Sequence, residues 1–184
     1  MYLNKDFISV SRIGIIPALL AIFISCADLS SPESSGLVES PDEIAKYALL
    51  SAIEYTKADT VYEYGGQDLL SVIRIDCSGL VVNCYKYATD GRGYAVPFND
   101  TTVINFYNIW TVPTDIPRPG DLIFMGETDT PTHISIFVKE DAGVIYFIDS
   151  TRKTEEGIDG VSERSYSADV SRFLSFGRLL LKKL

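Results

Sequence analysis

Three residues of this 184-residue chain have the types and neighbourhoods that nucleophilic acyl chemistry needs. Cys77 follows Asp76 and precedes Ser78-Gly79, which predicts a place in the first turn of a helix. Free backbone N–H groups and the helix dipole there favour an anion, so they favour the thiolate. Gly79 removes bulk beside it. Taken alone, Cys77 also reads as a small buried hydrophobe, the fate of most free cysteines. His133 opens a run in which Ile134, Ile136 and Val138 alternate with Ser135, Phe137 and Lys139, so it stands at the mouth of a predicted strand. Alone, it reads as a surface or loop histidine. Asp149 ends the next apolar run, after Phe147-Ile148, and with Ser150 it also makes good turn chemistry. If the two runs pair as a hairpin through Glu140–Gly143, Asp149 returns beside His133 and accepts its second ring N–H. Nucleophile, base and orienter then meet. The chain has one histidine, so any step that needs one must use His133.

These residues need elements to carry them. Ser40-Pro41-Asp42-Glu43 predicts a helix start, with Ser40 as cap and Glu43 closing a capping box. Ile44, Tyr47, Ala48, Leu49, Ala52, Ile53 and Tyr55 give it an apolar face through about Thr56. Gly65-Gly66 marks a turn. A second helix runs from Cys77 to about Ala88, capped by Asp76 and stopped by Asp90-Gly91-Arg92-Gly93. Asp100 or Thr101 opens a third, short helix to about Trp110, and Pro113, Pro117 and Pro119-Gly120 then exclude regular structure. Strands follow at Asp121–Met125, His133–Lys139, Val144–Asp149 and Phe173–Leu181. Glu155–Glu163 reads as a solvated acidic loop. Helices first and an antiparallel sheet second predict an α+β domain. Cys84 lies seven residues beyond Cys77, about 10 Å along a helix axis, too far for a disulfide between them. It reads as core. Tyr62, Tyr64, Phe98, Tyr107 and Trp110 could border a cleft or pack as core and rim.

Composition narrows the classes. Hydrophobic residues make up 46% and charged residues 22%, enough apolar surface for a packed core. Sixteen Lys and Arg against 25 Asp and Glu leave a net charge of −9, which argues against a nucleic-acid partner. Three Cys and one His are too few for a disulfide scaffold or a zinc ribbon. No internal repeat and no glycine-rich phosphate loop stands out.

The first residues read as an address. Lys5 and Arg12 precede the apolar run Ile13–Ser25, which is too short to span a bilayer. Ser25-Cys26 then resembles the lipobox of bacterial lipoproteins, although Ile24-Ser25 replaces the smaller pair usual there. The expected organisation is a signal peptide over 1–25, lipidation at Cys26, a Ser-rich tether over 26–39 and a domain over 40–184. Such a protein would be lipid-anchored in the bacterial cell envelope, with a mild preference for the outer membrane facing the periplasm.

Four segments in order resemble the NlpC-type cell-wall cysteine peptidases. They are Tyr62-Glu63-Tyr64-Gly65-Gly66, Asp76-Cys77-Ser78-Gly79-Leu80-Val81, Arg118-Pro119-Gly120-Asp121-Leu122-Ile123-Phe124 and His133-Ile134-Ser135-Ile136-Phe137. The resemblance covers about residues 40–184. It implies a papain-like core without metal or organic cofactor, Cys77 as nucleophile, His133 as general base and acid, and Tyr62 as helper at the oxyanion. Asp76 and Ser78 line the same turn and could touch substrate. Asp149 stands where the family usually has His, sometimes Asn or Gln, after a turn that reads as longer than is common. The expected function is hydrolysis of amide bonds in peptidoglycan stem peptides or crosslinks, by a monomer. The alternatives are an envelope lipoprotein that binds wall peptides or scaffolds an assembly, and acyl transfer or amidase chemistry on the same core.

Overall fold

The computed structural model describes residues 36–68 and 72–184. The signal peptide, the lipobox with Cys26 and most of the tether lie outside the described residues. The chain begins with β1 (Leu37–Glu39), α1 (Asp42–Tyr55), β2 (Thr60–Val61), β3 (Gln67–Asp68) and β4 (Ile73–Ile75). Next come α2 (Cys77–Thr89), β5 (Tyr94–Ala95), α3 (Val103–Asn105), a π-helical turn (Phe106–Trp110) and β6 (Thr111–Thr114). The remainder is β7 (Leu122–Met125), β8 (His133–Asp141), β9 (Val144–Lys153), a 3-10 turn (Thr154–Glu156), β10 (Ile158–Ser167) and β11 (Phe173–Lys183).

The main sheet runs β1-β11-β7-β8-β9-β10, with β5 and β6 also paired to β11, and all of these pairings are antiparallel. A small sheet, β2-β4-β3, precedes α2. The side-chain alternation of β7, β8 and β9 splits the core in two. Leu122, Phe124, Ile134, Ile136 and Ile148 pack with the buried faces of α1 and α2. Ile123, Met125, Phe137, Ile145 and Phe147 form a second cluster with Tyr166, Phe173 and Phe176. This is the predicted α+β arrangement, with helices laid on one face of an antiparallel sheet.

Several expected details are corrected. The capping box at Ser40 does not form. Pro41 takes the cap position without a side-chain bond, because Ser40 is tied elsewhere. Its N–H donates to Leu179 O at 2.7 Å, and the Arg118 guanidinium donates to its carbonyl. The sheet also takes in β1, ahead of the Ser40 at which the domain was expected to start. The third helix opens at Thr102, whose hydroxyl accepts from Asn105 N–H, and it widens to a π-turn from Phe106. Pro113 lies inside β6, a strand paired only with β11 among the described strands, where a missing donor costs no ladder bond. The β8–β9 hairpin closes on the two left-handed residues Ala142 (φ 50) and Gly143 (φ 75), so its turn is tight and its strands are long. Residues 158–163, expected as solvated loop, belong to β10, which pairs along its whole length with β9.

Pro119-Gly120-Asp121 forms a tight turn packed against α1 at the entry to β7. Gly120 has φ +98, and a Cβ there would stand 2.1 Å from Ala45 O, so no other residue fits. Asp121 is fully buried and accepts from Arg118 N–H at 3.0 Å and from the Arg178 guanidinium at 3.3 Å. These contacts fix where β7, and therefore β8, enters the sheet.

Candidate active site

Asp76 builds the start of α2. Its Oδ1 accepts from Gly79 N–H at 2.6 Å and from Ser78 Oγ at 2.9 Å, and its Oδ2 accepts from Gly65 N–H at 2.8 Å. One carboxylate therefore caps the helix and holds the Tyr64-Gly65 turn against it. Both oxygens of Asp76 are engaged, and the Ser78 hydroxyl donates to the same cap. Cys77 is the first helical residue, 7% exposed. With Gly79 N–H taken by Asp76, the Cys77 and Ser78 N–H groups, which have no acceptor within the helix, can face an oxyanion. Ser150 in β9 donates its hydroxyl to Ile75 O at 2.6 Å, tying the sheet to the backbone just before Cys77.

His133 opens β8, and Asp149 lies in β9. Asp149 Oδ2 is 2.5 Å from His133 Nε2. An ionised carboxylate only accepts, so Nε2 carries the hydrogen of this bond. The imidazole also lies close enough to the Cys77 thiol for the sulfur to act on its charge, and with Nε2 engaged, Nδ1 is the nitrogen left to face it. Burial works against the imidazolium, but the bonds and charges of Asp149 and Cys77 outweigh it and push the His133 pKa up to about 10. Burial would likewise raise the Asp149 carboxyl, yet His133 and Arg164 hold it below the usual carboxylate range. Asp149 does not end its strand as expected. β9 continues to Lys153, so Asp149 is fully buried.

Tyr62 lies near enough to the thiol to feel its charge. Burial, then Cys77, Asp76 and Tyr64, push its phenol up, while Arg152 opposes them. Its backbone is clamped by the β9–β10 hairpin. Tyr62 N–H donates to Asp159 Oδ1 at 2.9 Å, and Arg152 Nη2 donates to Tyr62 O at 2.5 Å. Arg152 and Asp159 in turn pair at 3.2 Å.

The structure thus brings Cys77, His133, Asp149 and Tyr62 together around the head of α2. It does not bring Phe98, Tyr107 or Trp110 there. Phe98 packs on Phe106 and Trp110, each 5.3 Å between ring centroids, and Tyr107 packs on Phe124 at 5.2 Å. All three belong to the core margin. Cys84 is a buried free thiol whose pKa burial pushes up to about 12, with nearby Ser51 opposing the shift. Among the described residues, no group of three or more His, Cys, Asp or Glu could hold a metal ion. No described helix is long and apolar enough to cross a membrane.

Sequence reasoning missed Arg164. From β10, its Nε donates to Asp149 Oδ1 at 2.9 Å and its Nη2 donates to Oδ2. The polar alternation of Ser162 to Ser167, with Tyr166 near its end, was the available signal for that strand. Arg152 and Asp159 were missed with it.

Comparison with known proteins adds the following. A family model described as "NlpC/P60 family" matches residues 59–173. No curated protein matches the chain. Among solved structures, the chain is similar to the NlpC/p60 domain of peptidoglycan hydrolase SagA, with 20% identity and a TM-score of 0.47 over 73% of this chain and 97% of that one. It is similar to Ly7917 with the hydrolyzing product of MDP, with 13% identity and a TM-score of 0.48 over 73% of this chain and 62% of that one. For Ly7917 alone the identity is 15% and the TM-score 0.46, with the same coverage.

Proposed function

The chain belongs to the NlpC/P60 family, and from that premise we propose that it is a cell-wall cysteine endopeptidase acting on amide bonds in peptidoglycan stem peptides or crosslinks. The observation that carries the reading is the line Cys77–His133–Asp149, with the thiol beside an imidazole whose Nε2 meets a buried carboxylate at 2.5 Å.

In this mechanism the Cys77 proton rests on His133 Nδ1. The resulting thiolate adds to the substrate carbonyl carbon, and the C=O π electrons move to oxygen. The oxyanion accepts hydrogen bonds from the Cys77 N–H and the Tyr62 hydroxyl. The tetrahedral intermediate collapses, the C–N bond breaks, and His133 gives its proton to the leaving amine. Neutral His133 then takes a proton from water, the hydroxide adds to the thioester, and the acid product leaves as the thiol re-forms. Asp149 fixes the imidazole by its Nε2–H throughout and stabilises the imidazolium. Asp76 and Ser78 hold the turn that carries the thiol. No metal or organic cofactor enters these steps.

The envelope setting is part of the same proposal. Cys26, after the apolar run, would carry the lipid, and residues 26–39 would hold a monomeric domain off the membrane.

Digestion of purified peptidoglycan by the wild-type chain and by Cys77→Ala tests the reading. Soluble fragments from the wild type alone are expected, and their masses name the bond. Equal fragments from both would remove Cys77 from the chemistry. None from either folded protein would contradict the assigned activity and favour a wall-peptide binder.

A further inference from the structure

Asp149 is fully buried, and its charge is met from two sides. From β8, His133 Nε2–H reaches Oδ2; from β10, Arg164 grips both oxygens. Arg164 is itself locked. Its side chain is 8% exposed, and its guanidinium lies 5.1 Å from the centroid of the Phe147 ring and 5.5 Å from that of Tyr166. Its Nη1 donates to the Tyr166 hydroxyl at 2.8 Å, and Lys153 Nζ donates to the same hydroxyl at 2.7 Å. The charged and titratable groups around Asp149 are therefore His133 on β8 with Cys77 of α2 beyond it, Arg164 and Tyr166 on β10, and Lys153 farther along β9.

We propose that Arg164 is a positioning residue of this site: its two-point hold aims Asp149 Oδ2 at His133 and neutralises the carboxylate, so a buried pair of no net charge stands behind the imidazole. The inference rests on the reading of Cys77 and His133 as the reacting pair. A lone buried carboxylate one hydrogen bond from His133 would hold the imidazolium too firmly, whereas the catalytic proton must leave His133 for the departing amine. Arg164 tempers that hold. It acts through Asp149 and against the imidazolium by its own positive charge. A lysine could supply the charge but not the planar fork that grips both oxygens.

His133 is the chain's one histidine, so histidine-selective isotope labelling of the full chain gives one imidazole to follow by NMR. Its titration midpoint is compared in wild type, Arg164→Met and Arg164→Lys, with folding of each checked by thermal unfolding. Arg164→Met is expected to move the midpoint upward by about one unit, because Asp149 regains its full charge beside the ring. Arg164→Lys is expected to keep the midpoint near that of wild type and to lower the rate of wall hydrolysis about tenfold. A folded Arg164→Met protein with an unmoved or lowered midpoint overturns the inference, and so does an Arg164→Lys protein with the wild-type rate. If Arg164→Met does not fold, the Arg164→Lys rate still decides. The NMR midpoint needs no substrate. An upward shift in a protein that cuts no wall would remove the proposed activity and support the Arg164–Asp149–His133 linkage.

Discussion

Gly79 lies so close to Gly66 that a Cβ on the helix residue would stand 2.4 Å from the turn residue's carbonyl oxygen. That oxygen also accepts the N–H of Asp76 at 3.1 Å, so it cannot retreat without loosening the cap. Gly79→Ala should therefore destabilise the fold by about 1–3 kcal/mol, the usual cost of overpacking, and pull the Tyr62 segment off the head of α2. Urea denaturation reads the first effect and wall hydrolysis the second. An unchanged urea midpoint would contradict the close approach.

Cys77→Ser keeps the volume of the side chain but replaces a strong nucleophile with a weak one. Turnover should fall by about 10³-fold or more, as when a nucleophile is removed from a site whose parts act as a unit. The thermal midpoint should stay within a few degrees, because the residue's packing is unchanged. A variant with more than a tenth of the wild-type rate would argue that Cys77 is core and not chemistry.

For Tyr62→Phe, a loss of about 10²-fold in kcat with KM nearly constant is expected, the signature of a lost oxyanion donor. A rise in KM at constant kcat would instead make Tyr62 a substrate-binding residue. Release of the backbone clamp by Asp159→Ala should lower kcat in the same direction, since Arg152 and Asp159 hold the backbone on which Tyr62 sits.

The His133–Asp149 pair also predicts how stability follows pH. The folded His133 pKa, about 10, lies above its ordinary 6.5. Its contribution is complete below pH 6.5 and is lost as pH rises through 10. The Asp149 pKa lies below its ordinary 3.8, so its contribution is complete above that value and is lost as pH falls through the folded pKa. Stability should thus decline between about pH 6.5 and 10, and Asp149→Asn should flatten that decline while lowering stability at neutral pH. Urea midpoints across the range measure both. The same alkaline slope in the variant as in wild type would remove Asp149 as the source of the raised His133 pKa.

What could be read from the chain in advance was local. Asp76 caps α2 through a residue three positions on, and a tight turn joins the strands that bring His133 and Asp149 together, so short-range rules suffice. Arg164 was hidden because β10 has one solvated face and few apolar residues, so its composition resembles a loop while its backbone is paired to β9. Ser40 failed as a cap for a reason of the same kind. Its N–H bonds Leu179, 139 residues away, a competitor that no local pattern reveals. Pro113 punctuates β6 in sequence yet sits in it in space, because a strand paired on one side spares the proline its missing donor.

β11 is the last element in chain order, and it binds β1, β5, β6 and β7 along its length. During synthesis, at about 5–20 residues per second, α1, α2 and the β8–β9 hairpin emerge while these four strands still lack their common partner. Cys77 and His133 therefore exist in a nascent chain well before the sheet that holds them can close. Long-range pairing makes that closure slow relative to the local helices. Docking of β11 completes the sheet that carries β8 and β9 through β7, and the order of synthesis places that docking after Cys77, His133 and Asp149 have all emerged.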